Sequence, residues 1–195
     1  MELHHCTNAK SLSYFYTDPK SAFEWYQKAA DKGNATAQYN LGNMYYNGKA
    51  VGGVNFNKAF ELFKKSADKD VAAAQNSLGD MYCNGKAVGG INFSKAFEWY
   101  QKAADKDNAP AQNALGNMYC NGKAVGGVNF NKAFEWYQKA ADKDNAPAQN
   151  ALGNMYCNGK AVGGVNFNKA FELYQKAADK NFQPAIDALK SFPKW

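Results

Sequence analysis

The sequence predicts an all-α solenoid of antiparallel helix pairs with a period of 37 residues. Three observations predict it. The segment Lys95–Phe130, KAFEWYQKAADKDNAPAQNALGNMYCNGKAVGGVNF, recurs letter for letter at Lys132–Phe167. Looser copies flank this pair at Lys58–Phe93 and Lys169–Phe192, and an earlier one starts at Ala22. Within each copy, two apolar stripes at helical spacing are separated by a glycine-rich loop. A fixed period of this length means stacked supersecondary units, none of which can bury its apolar face alone. Residues 18–192 are therefore expected to form one continuous body. A lone helix (18–32) would be followed by four helix pairs (34–69, 71–106, 108–143, 145–180) and a terminal capping helix (183–192). Residues 1–17 match no repeat position and are left unassigned.

The first helix of a pair is read from NAPAQNALGNMYCNG. Asn145 is suited to the N-cap, and Pro147 fits the first turn, where its missing N–H costs nothing. Gly159 follows the last periodic residue, as a left-handed C-terminal glycine would. Ala148, Ala151, Leu152 and Met155 form the apolar stripe, with Tyr156 at its edge. Gly153 costs about 1 kcal/mol in mid-helix relative to alanine, which implies close approach of another helix. The second helix, NFNKAFELYQKAADK, is capped by Asn166. Its stripe is Phe167, Ala170, Phe171, Tyr174, Ala177 and Ala178, and Lys169, Glu172, Lys176 and Asp179 face away. Asp107, Asp144 and Gly33 close this helix type, where a residue tolerant of positive φ is expected. In the loop GKAVGGVNF, paired glycines make an excursion, and Val162 and Val165 are expected to tuck back onto the core. Trp25, Trp99 and Trp136, exchanging with Leu62 and Leu173, suit a hydrophobic seam between repeats. Terminal units are expected to present a polar outer face.

Composition excludes several classes. Every basic residue is lysine, and the net charge of +6 is a small surplus summed over nearly balanced repeats. A nucleic-acid footprint would be a clustered stripe, normally with arginine, so nucleic acid is not an expected partner. No run approaches ~18 uninterrupted apolar residues, so no membrane span is expected. The start, MELHHCTNAK, lacks a basic then apolar leader. The chain is thus expected in the cytoplasm, or exported without a readable signal peptide. Abundant Lys, Asn, Tyr and Phe without Arg is what an AT-rich bacterial genome produces. Cys83, Cys120 and Cys157 hold one slot in successive repeats. Equivalent positions at helix-packing distance are too far apart for a disulfide, so free thiols are expected, as in a reducing compartment. That slot accepts Tyr46 in the first repeat, which implies partial exposure. GKAVGG lacks the order of a phosphate loop, and no strand precedes it. Ligands on such a ladder cannot converge on one metal ion, and no cofactor is expected. His4 and His5 lie off the repeat.

The motif AxxxLGxMYxNG, a glycine loop and NFxKAFEWYxKAA together resemble the Sel-one-like repeat (SLR) family, a relative of the tetratricopeptide repeat. Ala148, Leu152, Gly153, Tyr156, Gly159, Val162, Ala170, Tyr174, Ala177 and Ala178 carry the resemblance, with equivalents in the other copies. The loop departs from the family's GxGVxxD: Ala161 replaces the second glycine, Asn166 the acid, and one residue is inserted. The resemblance implies a right-handed α/α superhelical solenoid that holds proteins or peptides, with the first helix of each pair lining a concave groove. The helical wheel then places Tyr39, Asn43, Tyr46 and Asn47 in that groove, followed by Asn76, Asp80, Cys83 and Asn84. Asn113, Asn117, Cys120 and Asn121 come next, and Asn150, Asn154, Cys157 and Asn158 last. A ladder of amides can grip the backbone of an extended peptide without demanding a particular side chain. The leading expectation is a non-catalytic interaction scaffold, monomeric or weakly associating end to end. The rival class is a β-lactam-binding or hydrolysing enzyme, after cysteine-rich members of the resembled family. Those carry paired cysteines per repeat, whereas here the cysteine-bearing repeats have one each. A catalytic constellation needs different residues converging, and a ladder repeats one group.

Overall fold

A computed structural model describes residues 19–124 and 126–192. The segment before the repeats, with Cys6, His4 and His5, lies outside the described residues. Among the described residues ten α-helices alternate between two types: α1 (Pro19–Asp31), α2 (Ala35–Tyr46), α3 (Phe56–Ala67), α4 (Ala72–Cys83), α5 (Phe93–Ala104), α6 (Ala109–Cys120), α7 (Phe130–Ala141), α8 (Ala146–Cys157), α9 (Phe167–Ala178) and α10 (Gln183–Lys190). The chain divides into two compact units, residues 1–91 and 92–195. The first holds α1 to α4 and the second α5 to α10.

Asparagine starts most helices. Asn34, Asn108 and Asn145 accept the N–H of Ala37, Ala111 and Ala148 through Oδ1. Asn55, Asn92, Asn129 and Asn166 do the same for Lys58, Lys95, Lys132 and Lys169. Each such cap contributes about 1 kcal/mol. The second-type helices end in one motif. The Asp107 N–H donates to Ala104 O and the Asn108 N–H to Ala103 O. This paired closure places Asp107 in the left-handed region at φ 61°, and Asp144 follows at 60°. A short polar side chain tolerates that conformation best after glycine.

Close approach within a helix pair runs through the mid-helix glycine. A Cβ on Gly116 would lie 2.5 Å from the ring of Tyr137, and one on Gly153 would lie 2.6 Å from that of Tyr174. In the first unit Gly42 faces Phe63 at 2.7 Å in the same way. Successive repeats are joined by edge-to-face aromatic pairs. Phe60 meets Tyr82 in the first unit, and Phe97 meets Tyr119 and Phe134 meets Tyr156 in the second, at 5.7 to 5.8 Å between ring centres. Such pairs contribute ~0.5–1.5 kcal/mol beyond burial. Leu41, Leu78, Leu115 and Leu152 are fully buried.

Three sequence expectations are corrected. Val162 and Val165 do not tuck onto the core: Val162 is 61% exposed, and the loop sends Ala161 inward instead. The reason is the backbone path, since Ala161 N–H and Lys160 N–H both donate to Met155 O and turn the next residue outward. The tryptophans do not form a buried seam. Trp25 is 58% exposed, and Trp99 and Trp136 are half-buried, each carrying a lysine ammonium (Lys102, Lys139) 4.3 Å above its ring. The outer face at α9 is not wholly polar. Phe171 is 46% exposed, because its ring meets Phe192 where earlier copies meet a tyrosine of the next repeat.

Candidate functional site

The sixteen positions predicted to line a groove fall eight to a unit. In the second unit α6 and α8 present theirs side by side. Asn113, Asn117, Cys120 and Asn121 from α6 and its C-terminus, and Asn150, Asn154 and Asn158 from α8 and its C-terminus, line one hollow of about 330 Å³. Helical geometry explains the alignment: positions four apart stack on one face, and the 37-residue period repeats that face on the next first-type helix. Cys157 is half-buried, with Sγ 3.6 Å from the Tyr174 hydroxyl.

Two polar contributors escaped the sequence reading. Tyr137 lines the hollow from α7, and Lys160 from the loop after α8. The tyrosine hydroxyl of this position donates to Asn117 Oδ1 at 2.8 Å, and its equivalent Tyr174 donates to Asn154 Oδ1 at 2.7 Å. Burial, and behind it the neighbouring Cys120 thiol for Tyr137 and Cys157 for Tyr174, pushes both phenols well above the ordinary tyrosine range. They are therefore neutral donors across the physiological range. The signal was present in the sequence, because a tyrosine in an apolar stripe must find a partner for its hydroxyl. Asn117 and Asn154 are exposed, and Asn113 and Asn150 are half-buried. Asn150 Oδ1 is buried without a partner.

In the first unit the equivalent face is more aromatic and carries a carboxylate. Tyr39 lies 5.8 Å from the ring of Phe63, and Tyr46 lies 5.4 Å from that of Phe56. Lys86 donates to the Tyr46 hydroxyl at 3.0 Å and sits over its ring. Asn76 Nδ2 donates to Asp80 Oδ2 at 3.1 Å. Asn43 and Cys83 are half-buried, and Asn47 and Asn84 are exposed at helix ends.

A second hollow in the same unit, about 500 Å³, is lined by Asp142, Asp144, Gln149, Lys176, Asp179 and Lys180 among others. Its charges already answer one another. Lys180 Nζ meets Asp144 Oδ1 at 2.6 Å, and the lysine beside it holds the Asp144 carboxyl below the usual carboxylate range. Lys143 does the same for Asp107 one repeat earlier. Gln149, 2% exposed, also bonds Asp144 and the Ala141 carbonyl, and Gln112 repeats the arrangement. These groups fasten repeat to repeat, whereas the amides of the first hollow remain available. Among the described residues no group of three or more His, Cys, Asp or Glu could hold a metal ion. No described helix is long and apolar enough to cross a membrane.

The family model of the Sel1 repeat matches residues 14–34, 35–71, 72–108, 109–145 and 146–182. The chain belongs to the Sel1 repeat family, and its fold class is the all-α repeat of helix pairs found in SLR solenoids. A Sel1 repeat protein from Oxalobacter formigenes is 32% identical, with a TM-score of 0.82 over 93% of this chain and 75% of that one. The SLR-fold protein c5321, a protective antigen of uropathogenic Escherichia coli, is 30% identical with a TM-score of 0.70. That match covers 87% of this chain but only 37% of c5321. The immunity protein Pa5087 from Pseudomonas aeruginosa is 29% identical with a TM-score of 0.57, over 84% of this chain and 59% of that one. No curated protein matches.

Proposed function

We propose that this chain is a non-catalytic scaffold that holds a protein or an extended peptide against the asparagine-lined face of its first-type helices. One observation carries the reading: six asparagines of α6, α8 and their C-termini converge on one hollow with their amide hydrogens unspent. Side-chain amides placed in register at helical spacing match the carbonyl groups of an extended backbone. Repeat proteins use such faces for binding because stacking makes a long surface from a short unit. The likeness to an immunity protein supports the class of occupant, another protein, and nothing finer is carried over from it. The same face of the first unit, from Tyr39 to Asn84, is assigned to the same role, with tyrosines adding rigid contact area. The arrangement offers repeated copies of one group and no nucleophile with a base beside it, so we assign it no reaction.

The test substitutes Asn113, Asn117, Asn150 and Asn154 with alanine. Partner capture from the source cell's lysate is expected to be lost, with the far-ultraviolet helix signal unchanged. Capture undiminished in the variant rejects the assignment.

A further inference from the structure

We propose that the hollow between α6 and α8 selects an acidic extended segment, seating a side-chain carboxylate of the partner at Lys160 and backbone carbonyls at Asn117 and Asn154. This rests on the groove reading above and adds to it the chemistry of the occupant.

The argument begins with hydrogen-bond supply. The hydroxyls of Tyr137 and Tyr174 occupy the Oδ1 acceptors of Asn117 and Asn154. Burial keeps both phenols protonated, so they serve as donors there. A carboxamide whose oxygen already accepts from its own protein keeps both amide hydrogens, and one lone pair, for a ligand. Among the described residues no acceptor takes either Nδ2. At Asn117 and Asn154 the wall therefore offers two amide hydrogens against one remaining lone pair each, an excess of donors. Asn150 Oδ1, buried and unpartnered, is a place for a peptide N–H.

Charge points the same way. Among the side chains lining the hollow, Lys160 carries the single formal charge. Its ammonium lies 4.6 Å from the centre of the Phe130 ring and meets no carboxylate among the described residues. In this unit Lys143 and Lys180 meet Asp107 and Asp144, whereas Lys160, like Lys123 one repeat earlier, stands over a ring, and it faces the solvent of the hollow. A lone cation beside a row of N–H donors favours an anionic, acceptor-bearing occupant and disfavours a basic one.

The probes are two fluorescein-labelled decapeptides with both ends capped, oligoglutamate and oligoglutamine, read by fluorescence anisotropy. Oligoglutamate is expected to bind more tightly. Lys160→Gln is expected to remove about fivefold of that preference, the scale of one exposed ion pair. Lys139→Gln changes net charge equally outside the hollow and is expected to remove none. Asn117→Ala with Asn154→Ala is expected to weaken both peptides alike. Equal affinity for the two peptides, or equal effects of the two lysine variants, overturns acidic selection. The groove reading survives that result if the amide variant still weakens both. Affinity unchanged in the amide variant overturns both readings, as does failure of either peptide to bind. An uncapped oligoglutamine that outcompetes capped oligoglutamate would assign the site to a chain-terminal carboxylate and also overturn the proposal.

Discussion

At the scale of single residues, the mid-helix glycines set the distance between paired helices. Alanine at Gly116 would place a methyl 2.5 Å from two ring carbons of Tyr137. Glycine costs its helix about 1 kcal/mol, so the substitution gains that much in propensity. Overpacking against a buried ring costs ~1–3 kcal/mol, and Tyr137 cannot retreat without losing Asn117. Contacts this short take the upper part of that range, about 2–3 kcal/mol, so after the gain in propensity Gly116→Ala and Gly153→Ala are each expected to lower the urea-unfolding free energy by about 1–2 kcal/mol net. An unchanged or raised value would mean the helices part freely. The sequence showed that something must approach these glycines but not which atom. It also misplaced Val162, Trp136 and Phe171, because apolar periodicity tells which face a residue shares and not whether another element covers it. The hydroxyl of Tyr137, hidden inside an apolar stripe, was overlooked for the same reason.

At the scale of elements, starts and stops were legible, since asparagine caps and left-handed closers are short-range chemistry. Asn145, Asn166, Asp107 and Asp144 stand where the pattern put them. The second duty of the two aspartates was not visible, because their partners lie 36 residues away. Asp107 and Asp144 titrate below the ordinary carboxylate range when folded, owing to Lys143 and Lys180. Unfolded, they return to about 3.9. Their contribution is therefore complete above about pH 5 and is lost as pH falls through the lowered folded values. The stability difference between the parent chain and a Lys143→Met, Lys180→Met variant is expected to be largest at neutral pH and low salt. It should shrink towards pH 3 and at high ionic strength, because both carboxylates are exposed and screened. A difference independent of pH would show that packing of the lysine stems, and not charge, fastens the repeats.

At the scale of the whole molecule, the period makes a deletion with no foreign junction available. Removing Lys95–Asn131 joins Ser94 to Lys132 and recreates a helix start that the chain already uses. The shortened protein is expected to keep its helicity per residue, and its urea m-value should fall by about a fifth, in step with the surface lost. A collapse of helicity would contradict nearest-neighbour stacking. The fold class was legible here because the repeat is a global signal. The detail of the candidate site was less so, since Lys160 and Tyr137 reach it from other elements.

The helices α6 and α8 are the same twelve letters with matching cap angles, and α7 stands between them. During folding, side-chain chemistry alone gives α7 no address distinguishing one neighbour from the other. A misplaced choice loops out one period at a modest entropic cost, and in concentrated solution the vacant seat can be on another molecule. The few letters that break the repetition therefore act as a zip code. Ser66 is one: its hydroxyl binds the Ala35 carbonyl at 2.8 Å, in a slot that the later copies fill with Ala103, Ala140 and Ala177. Making the copies still more alike would leave the contacts of the native state intact while erasing the instructions for reaching it.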